Sequence, residues 1–217
     1  MKLITVWCVF VSSAFLCVEN TSAQSELLDN TQDGISVMSG LTHLDRFNTT
    51  LTTQMASLSV RGRIDFGIQF TQVYGGPNYR SPFATVHWWK PAPGFPFGSA
   101  LSLALDSSGQ IGSYDASFYW RTEAPGSDQF VAKLVVGITR NSRMVRLTTA
   151  EVLGNERLVE DDAFTVGGEL IAASSLANGF RIIIAPHYQW QNTLGSTIGV
   201  RLGILRFDPD TGKRRKE

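Results

Sequence analysis

The feature that most constrains this chain is a two-residue period in its hydrophobic pattern. From Leu58 to Phe70 the even positions read Leu58, Val60, Gly62, Ile64, Phe66, Ile68 and Phe70. The odd positions read Ser59, Arg61, Arg63, Asp65, Gly67 and Gln69. Successive side chains of an extended strand point to opposite faces, so such a segment has one oily face and one polar face. The alternation returns at Leu101, Leu103 and Leu105; at Tyr114, Ala116, Phe118 and Trp120; and at Phe130, Ala132, Leu134, Val136 and Ile138. It continues at Phe164, Val166, Leu170 and Ala172, at Phe180, Ile182, Ile184, Tyr188 and Trp190, and at Ile198, Val200, Leu202 and Ile204. The helical spacing is hard to find past Ser57, so the chain reads as all-β with antiparallel hairpins. The stretch from Met144 to Leu153 fits least well.

The first 23 residues have the three-part layout of a secretory leader. Lys2 is followed by an apolar run from Leu3 to Val18, then by small and polar residues ending at Ala23. We place cleavage before Gln24, and the run is short for a membrane-spanning helix. Both cysteines, Cys8 and Cys17, lie in the leader, so no disulfide staples the mature part. Lys2 and Glu19 leave with it, and the basic and acidic side chains remain balanced. That neutrality gives no electrostatic reason to expect a nucleic-acid partner.

Turn signals divide the rest. Connections are expected at 106–110, 122–128, 140–143, 154–162, 174–178 and 191–196, with short ones alternating with longer ones. An up-and-down barrel, tight at one rim and looser at the other, has that rhythm. One strand beginning near Leu58 and seven between Ser99 and Phe207 predict eight. If Phe83 to Lys90 is also a strand, with a partner within Ile35 to Thr53, the count is ten. Residues 24–57, rich in Thr, Asn and Asp, read as a polar periplasmic lead-in or partial plug. Residues 58–207 read as the barrel, and residues 208–217 as a basic tail.

Alternation alone does not choose between lipid and a protein core outside each strand. Three features favour lipid. The strands run about 9 to 13 residues, the length a tilted strand needs to cross a bilayer. The tryptophans Trp88, Trp89, Trp120 and Trp190 all fall beside the longer connections, as one interfacial girdle requires. The polar faces mix charges with glycine and serine, which suits a narrow interior where ion pairs need room. The expected lumen charges are Arg61, Arg63, Asp65, Asp115, Lys133, Glu169, Arg181 and Arg201.

In this layout, and in a last strand reading Gly199-Val200-Arg201-Leu202-Gly203-Ile204-Leu205-Arg206-Phe207, the chain resembles the small outer-membrane β-barrel proteins of bacteria. The resemblance implies residence in the outer membrane among its lipids and a structural or porin-like role. It differs in that ten residues follow Phe207, whose face carries Gly203 and Arg201, while the aliphatics Val200, Leu202 and Ile204 sit on the other one. Pro186 is a further irregularity, because it removes a ladder hydrogen bond. The alternative is a secreted β-sandwich or lipocalin-like barrel that binds a ligand through the aromatic, proline-rich segment 74–98.

No catalytic constellation is evident. His187 has no serine two residues away and reads as an interior histidine, His87 and His187 lack metal-ligand spacing, and Asp208, Asp210 and Gly212 form only part of a calcium loop. No enzyme activity, cofactor or metal is expected.

Overall fold

The computed structural model describes residues 25–29, 32–73, 78–92, 94–105, 111–122, 128–146, 156–176, 179–192 and 195–207. The leader, the basic tail and most of the expected turns lie outside the described residues. Ten antiparallel strands form one closed barrel. They are β1 (Gly34–Leu44), β2 (Thr49–Val60), β3 (Ile64–Val73), β4 (Asn78–Trp89) and β5 (Phe97–Leu105). They continue as β6 (Ile111–Arg121), β7 (Asp128–Arg146), β8 (Glu156–Ser175), β9 (Phe180–Gln191) and β10 (Gly195–Phe207). Each strand pairs with its neighbours in sequence, and β1 pairs with β10 to close the ring. With ten strands both barrel ends lie at one rim, called here the terminal rim, together with the β2–β3, β4–β5, β6–β7 and β8–β9 connections.

The up-and-down architecture is as expected from the alternation, and the strand count is the ten of the alternative reading. Three segments account for the difference from eight. First, residues 34–57 are strands β1 and part of β2, so the barrel begins at Gly34 and not at Leu58. The outward side of β2 carries Thr50, Thr52 and Gln54 before Leu58 and Val60, and this polar start hides the period.

Second, Leu58–Phe70 is a hairpin and not one strand. Val60–Arg63 is a tight turn closed by Arg63 N–H donating to Val60 O at 3.0 Å, with Arg61 at φ 51° and Gly62 at φ 55°. Two successive positive φ values are the type I′ geometry whose twist suits a hairpin. Val60 pairs with Ile64, leaving an odd number of residues between partners, so the even-odd pattern passes through the turn unbroken. Third, β4 supplies the further strand between Tyr74 and Gly98. Conversely, the expected break at 140–143 is continuous strand, since β7 runs to Arg146. Six strands and not seven follow Ser99.

Inward residues include Met38, Thr42, Thr53, Asp65, Gln69, Thr85, His87, Lys133, Glu169, His187 and Arg201, all buried. Outward residues include Ile35, Val37, Leu41, Phe66, Leu101, Phe118, Leu134, Ile184, Leu202 and Ile204, all more than a third exposed. Inward glycines sit beside large neighbours: a Cβ on Gly40 would lie 2.5 Å from Arg201 Cγ, and one on Gly199 would lie 2.6 Å from the His187 ring. Pro186 leaves its expected mark, because the β8–β9 ladder skips from Glu169–His187 to Ala172–Ile184. The β9–β10 ladder runs through Val200–Pro186 without a gap.

The left-handed turn gives the first prediction. Gly62→Ala must hold a side chain at positive φ and press it onto the Asp29 carbonyl oxygen, so it should destabilise the barrel by about 1–2 kcal/mol or more. Arg61→Asn, which suits the same backbone region better, should stabilise it. Urea unfolding of the detergent-refolded protein reads both changes.

Candidate functional site in the barrel lumen

A barrel of ten strands encloses more space than one of eight, whose interior side chains alone can just fill it. Here the chain's own N-terminal segment occupies the terminal-rim end. A single 3-10 turn, Ser25–Leu27, presents Glu26, Leu27 and Leu28, all with no solvent exposure. The two leucines join an interior apolar cluster with Met38, Met55, Phe83, Tyr119, Val131, Ile171, Ile183 and Leu205, against which Phe207 packs. Carbonyls of the turn are bound by wall cations. Leu28 O accepts from Lys90 Nζ at 2.6 Å and from an Arg121 nitrogen at 3.1 Å. Leu27 O accepts from an Arg181 nitrogen at 2.5 Å, and Glu26 O from Arg121 at 3.3 Å. Arg181 also stacks over Phe207, 4.5 Å from the ring centre.

Deeper in the lumen the charges alternate. Lys133 Nζ donates to Glu26 Oε1 at 2.9 Å, and Arg201 donates to Glu169 Oε1 at 2.5 Å. Lys133, Glu169 and His187 are lateral neighbours across β7, β8 and β9, and His187 Nε2 lies 3.1 Å from Thr42 Oγ1. A charge taken out of water costs several kcal/mol unless a partner answers it, so these side chains hold one another in place. Beside them, a cavity of about 30 Å³ lined by Ser113, Asp115, Thr139, Thr165, Glu169 and His187 has room for about one water.

A second polar group lies under the plug. Ser59 Oγ donates to Asp65 Oδ1 at 2.5 Å, Asp65 Oδ2 lies 3.3 Å from His87 Nε2, and His87 Nδ1 lies 3.1 Å from the Tyr119 hydroxyl. Lys90, just past the end of β4, donates to Gly62 O at 2.5 Å as well as to Leu28 O. Burial pushes its amine down from 10.5 to about 7, and the neighbouring Arg121 charge pushes the same way.

Of the eight expected lumen charges, Asp65, Lys133, Glu169, Arg181 and Arg201 are buried inside, and Asp115 faces in and is half-buried. Arg61 and Arg63 are exposed in the β2–β3 turn, because the segment expected as one strand bends there. Trp88, Trp89, Trp120 and Trp190 all face outward, but not as one girdle. The first three lie near the terminal rim, where Trp89 stacks on Phe95 and Trp120 meets Phe130 edge-on. Trp190 is at the opposite rim, near Phe164 and Tyr188. The redistribution follows from the strand count, since each added hairpin reassigns the connections between rims.

Sequence reasoning missed Glu26, His87, Lys90, Tyr119 and Arg121 as lumen or plug residues. For His87 the signal was present: Ser81, Phe83, Thr85 and His87 share one parity and Pro82, Ala84 and Val86 the other. Glu26 has no sequence signal, because nothing local marks a polar segment as one that folds back into the ring.

The fold and lumen define a closed, ten-stranded, internally plugged β-barrel. No protein-family model matches the chain, and no curated protein matches it. Among solved structures it is similar to the β domain of the Bordetella autotransporter BrkA, at 10% identity over 82% of this chain and 99% of that one, TM-score 0.47. It is also similar to the N-terminal β-barrel domain of Pseudomonas aeruginosa OprF, at 6% identity over 83% and 98%, TM-score 0.39. A third is an outer membrane channel from Pseudomonas putida F1, at 8% identity over 88% and 100%, TM-score 0.38.

Two predictions follow from the lumen. Glu169→Gln leaves Arg201 buried without its counter-charge and should cost about 3–5 kcal/mol in urea unfolding, whereas Glu169→Met with Arg201→Met together should cost far less. For the plug, burial beneath it holds Lys90 at about 7, and release exposes the amine and moves it back toward the ordinary 10.5, so the released state holds more protons above pH 7. Docking should therefore strengthen as pH rises from 7 to 10. Hydrogen exchange at residues 26–29, corrected for its intrinsic pH dependence, should show growing protection, and falling protection would contradict it.

Proposed function

We propose that this chain is an outer-membrane β-barrel that seals its own lumen, with a structural role and no catalysis. The observation that carries the reading is the inverted distribution of polarity. Among the described residues, thirty-one large hydrophobic side chains are exposed, while twenty-five polar or charged ones are buried. Soluble monomers rarely expose contiguous apolar patches beyond a few hundred Å², and apolar area returned to water costs about 25 cal/mol per Å². A ring of such strands is stable where acyl chains surround it, and closure leaves no strand edge to be satisfied by water. A lipocalin-like carrier would need the reverse arrangement, with its oily faces turned in.

The charges on the outer wall support the same reading. Among the described side chains, the outward Arg80, Asp128, Asp162 and Arg206 lie toward the rims, and the band between them carries no outward charge. Arg80 sits over Phe70 at 5.9 Å and Arg206 over Phe180 at 5.6 Å, so aromatic and cationic groups share the headgroup level at both ends. Against a porin-like role stand the buried plug, the ion pairs crossing the lumen and the one-water cavity beside them.

The processed protein should fractionate with outer membranes and migrate differently in unboiled and boiled detergent gels. In a planar bilayer it should carry no steady ion current. Recovery as a detergent-free monomer would defeat the membrane reading, and stepwise currents from pure protein would defeat the sealing.

A further inference from the structure

Under the plug, three residues remote in sequence meet with ligand atoms facing one another. Glu26 of the 3-10 turn, Asp65 of β3 and His87 of β4 each bring one such atom within 4.8 Å of the other two. All three are buried, at 0%, 0% and 2% exposure. We propose that Glu26, Asp65 and His87 bind one divalent transition-metal ion, Zn²⁺ foremost, which fastens the N-terminal plug to the barrel wall.

The orphaned carboxylate oxygen leads to this. Glu26 Oε2, fully buried, has no hydrogen-bond partner among the described residues, since Lys133 holds Oε1. His87 Nε2 stands 3.3 Å from Asp65 Oδ2, and His87 Nδ1 stands 3.1 Å from the Tyr119 hydroxyl. With its hydrogen on Nε2 the ring can donate to Asp65, and Glu26 Oε2 still goes unanswered. With its hydrogen on Nδ1 the ring presents a lone pair at Nε2, as a metal ligand does. A metal ion answers all three ligands together.

The geometry and the ligand chemistry agree. Donors on a tetrahedral ion at about 2.0–2.1 Å lie roughly 3.3 Å apart; the Asp65–His87 pair has that separation, and Glu26, within 4.8 Å of both, closes on the ion by a small movement of the turn. One imidazole with two carboxylates suits a borderline ion such as Zn²⁺ better than Mg²⁺ or Ca²⁺, which prefer oxygen alone. The supporting contacts are those that orient metal ligands: Tyr119 fixes the ring of His87, and Ser59 holds the far oxygen of Asp65. Only Glu26 comes from the plug, so the ion would couple plug docking to metal supply.

The test uses the full mature protein, refolded in detergent and stripped with EDTA. Calorimetric titration with ZnSO₄ and elemental analysis after desalting should find one equivalent. Co²⁺ in place of Zn²⁺ should give visible bands of a low-symmetry site. His87→Gln and Asp65→Asn should each weaken Zn²⁺ binding by ten-fold or more, while His187→Gln leaves it unchanged. Because wall variants could impair folding, Glu26→Gln provides a second test from outside the strands. It should weaken binding while the gel shift of the folded barrel persists, and in the parent protein Zn²⁺ should slow hydrogen exchange at residues 26–29. Absence of binding at millimolar Zn²⁺, or binding indifferent to His87→Gln and Glu26→Gln, would overturn the site.

Discussion

The pairing of β1 with β10 is the interaction on which the rest of this molecule depends. It runs through eleven residue pairs, from Gly34–Phe207 to Leu44–Thr197, and turns an open meander into a ring. An open sheet of these strands would present two unpaired edges and could not place an apolar face against acyl chains without stranding backbone amides. Once the ring is closed, backbone hydrogen bonding no longer needs water. The side chains are then free to divide, oily outward and polar inward, against the usual rule of soluble proteins.

Closure at ten strands creates the second problem, an interior too wide for wall side chains alone. The chain fills it in three ways. Large side chains such as Phe83, Tyr119 and Arg201 cross it, and glycines on neighbouring strands make room: Gly67 pairs with Phe83, Gly98 with Tyr119 and Gly40 with Arg201. Ion pairs take up the middle. The Ser25–Leu27 turn and Leu28 occupy the terminal-rim end, their leucines packed in the interior cluster and their carbonyls held by Lys90, Arg121 and Arg181. The polar lumen is thus a set of mutually neutralising groups whose separate burial would be unfavourable, and that interdependence is the basis of the proposed seal.

The class of fold was legible because period two is a direct image of the pleat, and the face of each strand after Ser99 followed from it. The strand count was not legible, for reasons that lie in particular residues. Arg61, Gly62 and Arg63 separate the partners Val60 and Ile64 by an odd number of residues, so a sharp reversal leaves the parity undisturbed. Thr50, Thr52 and Gln54 face outward in a stretch of β2 that shows no oily side, and the strand passes for a linker. Parity within a strand identified the inward charges at Asp65, Lys133, Glu169, Arg181 and Arg201. Their partners come from distant segments, and pattern along the chain cannot supply a contact such as Glu26 with Lys133, which spans 107 positions.

The central claim is that the apolar side of each strand lies against lipid, and β10 offers a direct measurement because residues 24–217 contain no cysteine. Single cysteines placed one at a time from Ile198 to Arg206 and spin-labelled in liposomes can be probed with oxygen, which concentrates in acyl chains, and with a water-soluble nickel chelate. Collision with oxygen should peak at 198, 200, 202 and 204 and fall at 199, 201 and 203, with the chelate excluded from both sets. Peaks of chelate collision at 198, 200, 202 and 204 would mean that this face meets water, and the barrel would then not be a membrane protein.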